Sequence, residues 1–330
     1  MRKYAVVAVG IGLAVGNVGC VSTAYRGRLG PVAAARTAVS PFTRQVVNAV
    51  DAGDGDWNVR QWQRHLIHHP EDVEARRQLA GYLERIGQGE LAAEHRRLAA
   101  EQRPGDEELW IEWATTLRAL GWRREAEVVL TRASTRSASA ALFSLLGIVR
   151  DQLGEHAAAE AAHRQALANS AAPDSALLNN LGFNLLLQRR TKEAIRLFRE
   201  ALALRPRSPE ARGNLARALA MEGTPEALAE ALIHWKSVAS VATAHSNLAA
   251  ALLEQGRHAE ARRELETALA ADPAHRAALE NLALVAQVDG GAAGSPRAVR
   301  SSPWKWLQMA MRPWFHSDAG QAVAPARAAR

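Results

Sequence analysis

A tripeptide returns along this 330-residue chain at a nearly fixed interval. Asn180-Leu181-Gly182 recurs as Asn214-Leu215-Ala216, as Asn247-Leu248-Ala249 and as Asn281-Leu282-Ala283, at steps of 34, 33 and 34 residues. A second set supports the first. Ala194, Phe198, Ala201 and Pro206 recur as Ala261, Leu265, Ala268 and Pro273, and upstream Ala92, Ala99 and Pro104 follow Leu79, Ala80 and Leu83 at the same spacing. A period of this length marks a supersecondary unit that cannot bury its apolar face alone, so units must stack into an array. The large-small-large order at i, i+1 and i+4 is a helical face. Small side chains let two antiparallel helices approach, and large ones fill the gap between them. Composition agrees, since Ala and Arg are abundant and β-branched residues are sparse after the first fifty positions, which favours helix over sheet. With 48% apolar and 23% charged residues, the chain is not disordered throughout.

These residues resemble the tetratricopeptide repeat (TPR) family. The resemblance implies an all-α fold, a right-handed superhelical solenoid of TPR helix pairs. The units expected are 39–72 (degenerate), 73–106, 107–139, 140–174, 175–208, 209–241 and 242–275. A capping helix over roughly 276–287 completes an array spanning 39–289. Gly87, Gly121, Gly154, Gly223 and Gly256 mark helix turns at near-constant phase. Arg150 stands where the pattern usually has an apolar residue.

The N-terminus has three parts. Arg2 and Lys3 are basic, Tyr4 to Gly16 is apolar, and the chain's one cysteine, Cys20, follows Gly19. That is the layout of an export signal, and it resembles the bacterial lipoprotein signal. The resemblance implies a signal peptide over 1–19, diacylglyceryl modification of Cys20 and a mature protein beginning there. Asn17 departs from that pattern, where an aliphatic residue is usual. An uncleaved membrane helix is the alternative, because residues 4–25 carry no charge and are long enough to span. Val21 is not the aspartate that retains many such lipoproteins in the inner membrane, so an outer-membrane lipoprotein facing the periplasm is expected. Residues 20–38, with Gly27, Gly30 and Pro31, read as a flexible tether.

The formal charge of +7 belongs to the ends. Residues 1–44 hold six Lys/Arg and no acid, and 290–330 hold six Lys/Arg and one acid; the segment between them is net −4. A net negative core argues against a phosphate-binding surface, and no nucleic-acid partner is expected.

No nucleophile elbow, phosphate loop, dinucleotide fingerprint or zinc-protease helix motif is present. No catalytic residue, cofactor or metal is therefore expected. His65, His68 and His69 share a helix face, but histidine near a helix end also complements the helix dipole. His156 and His163 read as repeat surface and packing. In TPR proteins the first helix of each unit lines a concave groove. Carried over position by position, the resemblance nominates Glu74, Arg77, Glu84, Arg85, Ile148, Asp151, Asn179, Phe183, Leu186, Leu187, Arg217 and Met221. This groove is charged in its N-terminal part and apolar at its centre, which suits an amphipathic helix or extended segment as ligand. Phe183, Leu186 and Leu187 could equally pack between units.

The chain changes character after Asp289. Residues 290–330 read as a linker, a short amphipathic helix over 303–315 and a disordered tail. Trp304, Trp306, Leu307, Met311, Trp314 and Phe315 would form an apolar face, docked on the array or lying at a membrane interface. Signal, cysteine, tether and repeats together resemble the TPR lipoproteins of tight-adherence and type IV pilus assembly. That resemblance implies a non-catalytic envelope scaffold whose partner is a secretin or pilus component. An adaptor of peptidoglycan-modifying enzymes is the alternative.

Overall fold

The computed structural model describes residues 56–290, with side chains to residue 286. Cys20, the expected signal and tether, residues 39–55 and the 303–315 segment lie outside the described residues. The chain divides into two compact units, 1–63 and 64–330. Of the first unit, residues 56–63 are described, and they form the opening of helix α1 (Trp57–His68).

In the second unit the helices come in antiparallel pairs. They are α2 (Val73–Arg85) with α3 (Gly89–Gln102), α4 (Glu107–Ala119) with α5 (Arg123–Ser134), and α6 (Ala140–Gln152) with α7 (His156–Ala168). Then follow α8 (Ser175–Leu187) with α9 (Thr191–Leu204), α10 (Pro209–Glu222) with α11 (Pro225–Lys236), and α12 (Val241–Glu254) with α13 (His258–Ala271). A last helix, α14 (Arg276–Gly290), packs on α12 and α13. There is no strand among the described residues. The expected all-α solenoid of helix pairs is the observed fold.

Local chemistry explains where helices begin and end. First helices start at side-chain caps: Asp72 accepts from the Ala75 N–H, Ser139 from Leu142, Asp174 from Ala176 and Leu177, Ser208 from Ala211, and Ser240 from Thr243. Each cap satisfies an amide that the helix leaves orphaned. First helices end in a tight left-handed turn. There the amides of Gln88, Trp122, Glu155, Arg190 and Arg257 donate back to the carbonyls of Leu83, Leu117, Arg150, Leu185 and Leu252, at 2.8–2.9 Å. That 6→1 closure needs one residue at positive φ, which glycine adopts without strain. Gly87, Gly121, Gly154 and Gly256 supply it in four of these turns.

Small residues sit where helices touch. Ala80, Ala92, Ala99, Ala114, Ala126, Ala194, Ala201, Ala216, Ala249, Ala261 and Ala268 are fully buried. At Gly182 a methyl group would lie 2.8 Å from Cε1 of Phe198, so the ring rests directly on the backbone. The apolar interior forms two clusters. One runs from Val73 to Leu177 and the other from Leu181 to Val285, with Leu167 packed against both. Between them the buried groups of α6, α7 and α8 are polar. The Asp151 carboxylate, 5% exposed, accepts from His156 Nδ1 at 2.9 Å, His163 Nε2 at 3.1 Å and Asn184 Nδ2 at 2.7 Å. Asn184 also donates to the His156 carbonyl, and Gln188 donates to Asn184 Oδ1.

One buried group links this fold to pH. His95 on α3 has no hydrogen-bond partner for Nδ1. Burial, with the nearby Arg76 cation, pushes its imidazole down from 6.5 to about 4. Below pH 6.5 the unfolded chain takes up a proton that the folded chain refuses. Stability is therefore complete above that pH and is lost as pH falls toward 4. A loss on the order of 2–3 kcal/mol is expected from this residue. Urea midpoints at pH 7, 5 and 4 measure it, and His95→Leu should flatten that part of the slope.

Candidate functional site: the inner face of the array

From α4 onward each first helix touches the first helix of the next pair, whereas second helices meet only first helices. The first helices therefore form the continuous, closer-spaced layer, and that layer is the inside of the curve.

The groove residues expected in the N-terminal part have partners within the chain. Arg77 (26% exposed) contacts Glu74, Glu108 at 3.0 Å and Glu112. The hydrogen bond from Glu112 leads in holding its guanidinium pKa above the usual value, against the opposing effect of burial. Glu84 accepts from Arg96 at 2.8 Å and from Thr116 Oγ1 at 2.5 Å, and Arg96 also reaches Glu112 at 2.8 Å. These charges tie the first pair to the second. Arg85 is exposed beside the Tyr82 ring.

At the centre the expected set divides. Leu186 and Leu187 are buried, at 3% and 9% exposure, and pack between helix pairs. This corrects their placement in the groove: α8 is enclosed by helices on several sides, and these positions point into the stack. Asp151 is likewise enclosed, in the network with His156, His163 and Asn184. Ile148, Phe183 and Met221 are half-buried, and Phe183 and Met221 pack over the second apolar cluster with part of their surface open. Asn179 Oδ1 accepts from Asn214 Nδ2 at 2.9 Å, a polar rung between α8 and α10. Arg217 on α10 is half-buried and faces Glu254 on α12, which also faces Arg189.

The sequence reading missed Asn184, Arg189, Asn214 and Glu254. Asn184 interrupts a long apolar run on α8, and that interruption was the available signal. Glu254 carried none, because its partners lie 37 and 65 positions away in sequence. The histidines near α1 are paired with acids: His65 with Asp72 at 2.8 Å and His69 with Glu71 at 3.6 Å. Among the described residues no group of three His, Cys, Asp or Glu could hold a metal ion. Among them, too, no helix is long and apolar enough to cross a membrane.

Two family models described as tetratricopeptide repeat match residues 185–234 and 242–275. No curated protein sequence matches the chain. Several solved structures share the fold. A tetratricopeptide repeat protein from Parabacteroides merdae ATCC 43184 superposes with a TM-score of 0.53 at 16% identity, covering 73% of this chain and 96% of that one. PilW, described as a widely conserved type IV pilus biogenesis factor, gives 0.53 at 21% identity, covering 64% and 97%. The APC/C hetero-tetramer Cut9-Hcn1 gives 0.52 at 20% identity; it covers 76% of this chain, which spans about half (49%) of that one.

Proposed function

Starting from tetratricopeptide repeats, which are a protein–protein interaction scaffold, we propose that this chain holds a protein partner on the inner face of its array. In this reading lipidated Cys20 ties it to the outer membrane, facing the periplasm, where it assists assembly of a pilus or secretion complex. The observation that carries partner binding is the continuous layer of first helices with half-buried Phe183, Met221 and Arg217 on it. A partner can cover these side chains without opening the core. The envelope assignment rests on the basic, apolar and cysteine-bearing parts of residues 1–20. A thioether-linked lipid gains about 0.8 kcal/mol per buried CH₂, so two or three acyl chains anchor firmly. The pilus assignment draws support from PilW, whose chain is almost wholly covered by this fold.

The test is cross-linking in intact cells followed by affinity capture and mass spectrometry, with Phe183→Glu/Met221→Glu beside the wild type. Secretin or pilus components are expected with the wild type. They should fall about tenfold in the variant, whose helical circular dichroism should be unchanged. Recovery of cell-wall enzymes without secretion components would replace this reading with the peptidoglycan adaptor. Mass spectrometry of the peptide beginning at Cys20 reports lipidation, and an unmodified, uncleaved N-terminus would sink the anchor.

A further inference from the structure

The turn that ends a first helix has the same backbone in every pair, but one residue is out of place. Glycine occupies the positive-φ position at Gly87, Gly121, Gly154, Gly223 and Gly256, with φ between 73° and 81°. In the α8–α9 turn that position is Arg189, at φ 64°. It is the one non-glycine residue with positive φ among the described residues. A Cβ in this conformation crowds the following carbonyl. The turn gains nothing from it, because the Arg190 amide closes on Leu185 just as the corresponding amides do elsewhere. Strain kept at one place in a repeated structure points to the side chain.

That side chain is exposed and stands beside Glu254. The same carboxylate faces Arg217, one helix closer. No hydrogen bond or ion pair within 4 Å reaches the Arg217 guanidinium among the described residues. Burial acts on both groups, pulling Arg217 down and pushing Glu254 up. Two cations thus share one anion, in a place where unpaired charge is costly. Arginine's planar fork suits a carboxylate. Phe183 and Met221, half-buried on the neighbouring turns, make the surroundings apolar.

We propose that Arg189 and Arg217 form a carboxylate-binding pair on the inner face, taking an Asp or Glu side chain from an otherwise apolar partner segment. This rests on the inner face being the partner surface, and it adds the chemistry of what is recognised there.

The test screens the full chain against a bead library of short, C-terminally amidated peptides built from Leu, Phe, Met, Ala, Ser, Gln, Glu and Lys. Selected sequences should place Glu at one fixed position among apolar residues. Changing that Glu to Gln should weaken binding about tenfold. Arg217→Gln and Arg189→Gly should each erase the difference between the Glu and Gln peptides. Arg189→Gly carries a second signature: its melting temperature should equal or exceed that of the wild type, because glycine relieves the turn. Loss of affinity together with kept or raised stability is what a merely structural arginine would not show. Arg217→Lys serves if Arg217→Gln fails to fold, and it should retain only part of the preference for Glu.

Glu and Gln peptides bound alike, with Phe183→Glu abolishing both, would overturn the arginine pair and leave the inner-face reading standing. Failure to select any peptide, or selection indifferent to Phe183→Glu, would sink both. A free-acid peptide lacking Glu that outcompetes the side-chain form would reassign the pair to a chain terminus and overturn the proposal. A lowered melting temperature in Arg189→Gly would also count against it.

Discussion

Asp151→Ala is expected to lower the stability of the array by about 3–5 kcal/mol. The residue looks unremarkable in sequence, near the end of an amphipathic helix. In the fold its carboxylate is the shared acceptor for three donors, two imidazoles and the Asn184 amide. His163 and Asn184 are themselves fully enclosed, at 2% and 0% exposure. Alanine leaves these donors facing a void, with no water to replace the lost acceptor. Asp151→Asn keeps one acceptor oxygen and the packing, and should cost less than half as much. The site also joins the two apolar clusters, whose direct link is otherwise the packing around Leu167. In a stacked array, neighbour interfaces set how far unfolding propagates. Asp151→Ala should therefore broaden the urea transition as well as shift it. Amide hydrogen exchange should rise first in α6, α7 and α8. A single sharp transition at the wild-type midpoint would refute this account of the interface.

Phe198→Ala should cost about 3–5 kcal/mol, the range for emptying a fully buried aromatic site. Phe198 has no exposed surface, and its ring lies against the backbone of Gly182. That contact makes a second, sharper expectation. Gly182→Ala in the wild type places a methyl group 2.8 Å from the ring, an overpacking worth about 1–3 kcal/mol. In the Phe198→Ala background the same methyl enters the cavity left by the ring and should be neutral or stabilising. The double-mutant cycle therefore has a large coupling term of opposite sign to the single effects. Chemical denaturation of the four proteins measures it. Additive costs would mean that the two residues do not share the space that the structure assigns to them.

The helical stack was legible because its causes are local and repeated. Asn180, Asn214, Asn247 and Asn281 mark one helix face at constant phase, and the glycines at 87, 121, 154, 223 and 256 mark the turns. Both signals survive in a single sequence, since the same backbone geometry imposes the same residue type each time. The candidate site was legible only in outline. Positions carried over from the repeat family found Phe183, Arg217 and Met221. The same carry-over chose Leu186 and Leu187, which are buried. It also chose Arg77 and Glu84, whose charges are matched inside the chain. Position within a repeat says which side of a helix a residue occupies. How much of that side a neighbouring pair covers depends on side chains about one repeat away.

The sequence by itself determined the helix boundaries, the pairing of helices and the small-residue contacts, because these depend on periodicity and on capping within a few residues. Only the tertiary structure decided that Asp151 is a buried acceptor rather than a groove carboxylate. It also decided that Arg189 strains a turn which glycine serves elsewhere, and that Arg189, Arg217 and Glu254 meet. Those outcomes come from the curvature of the stacked pairs, which brings side chains from three successive first-helix segments to one place and sets how much water each one keeps.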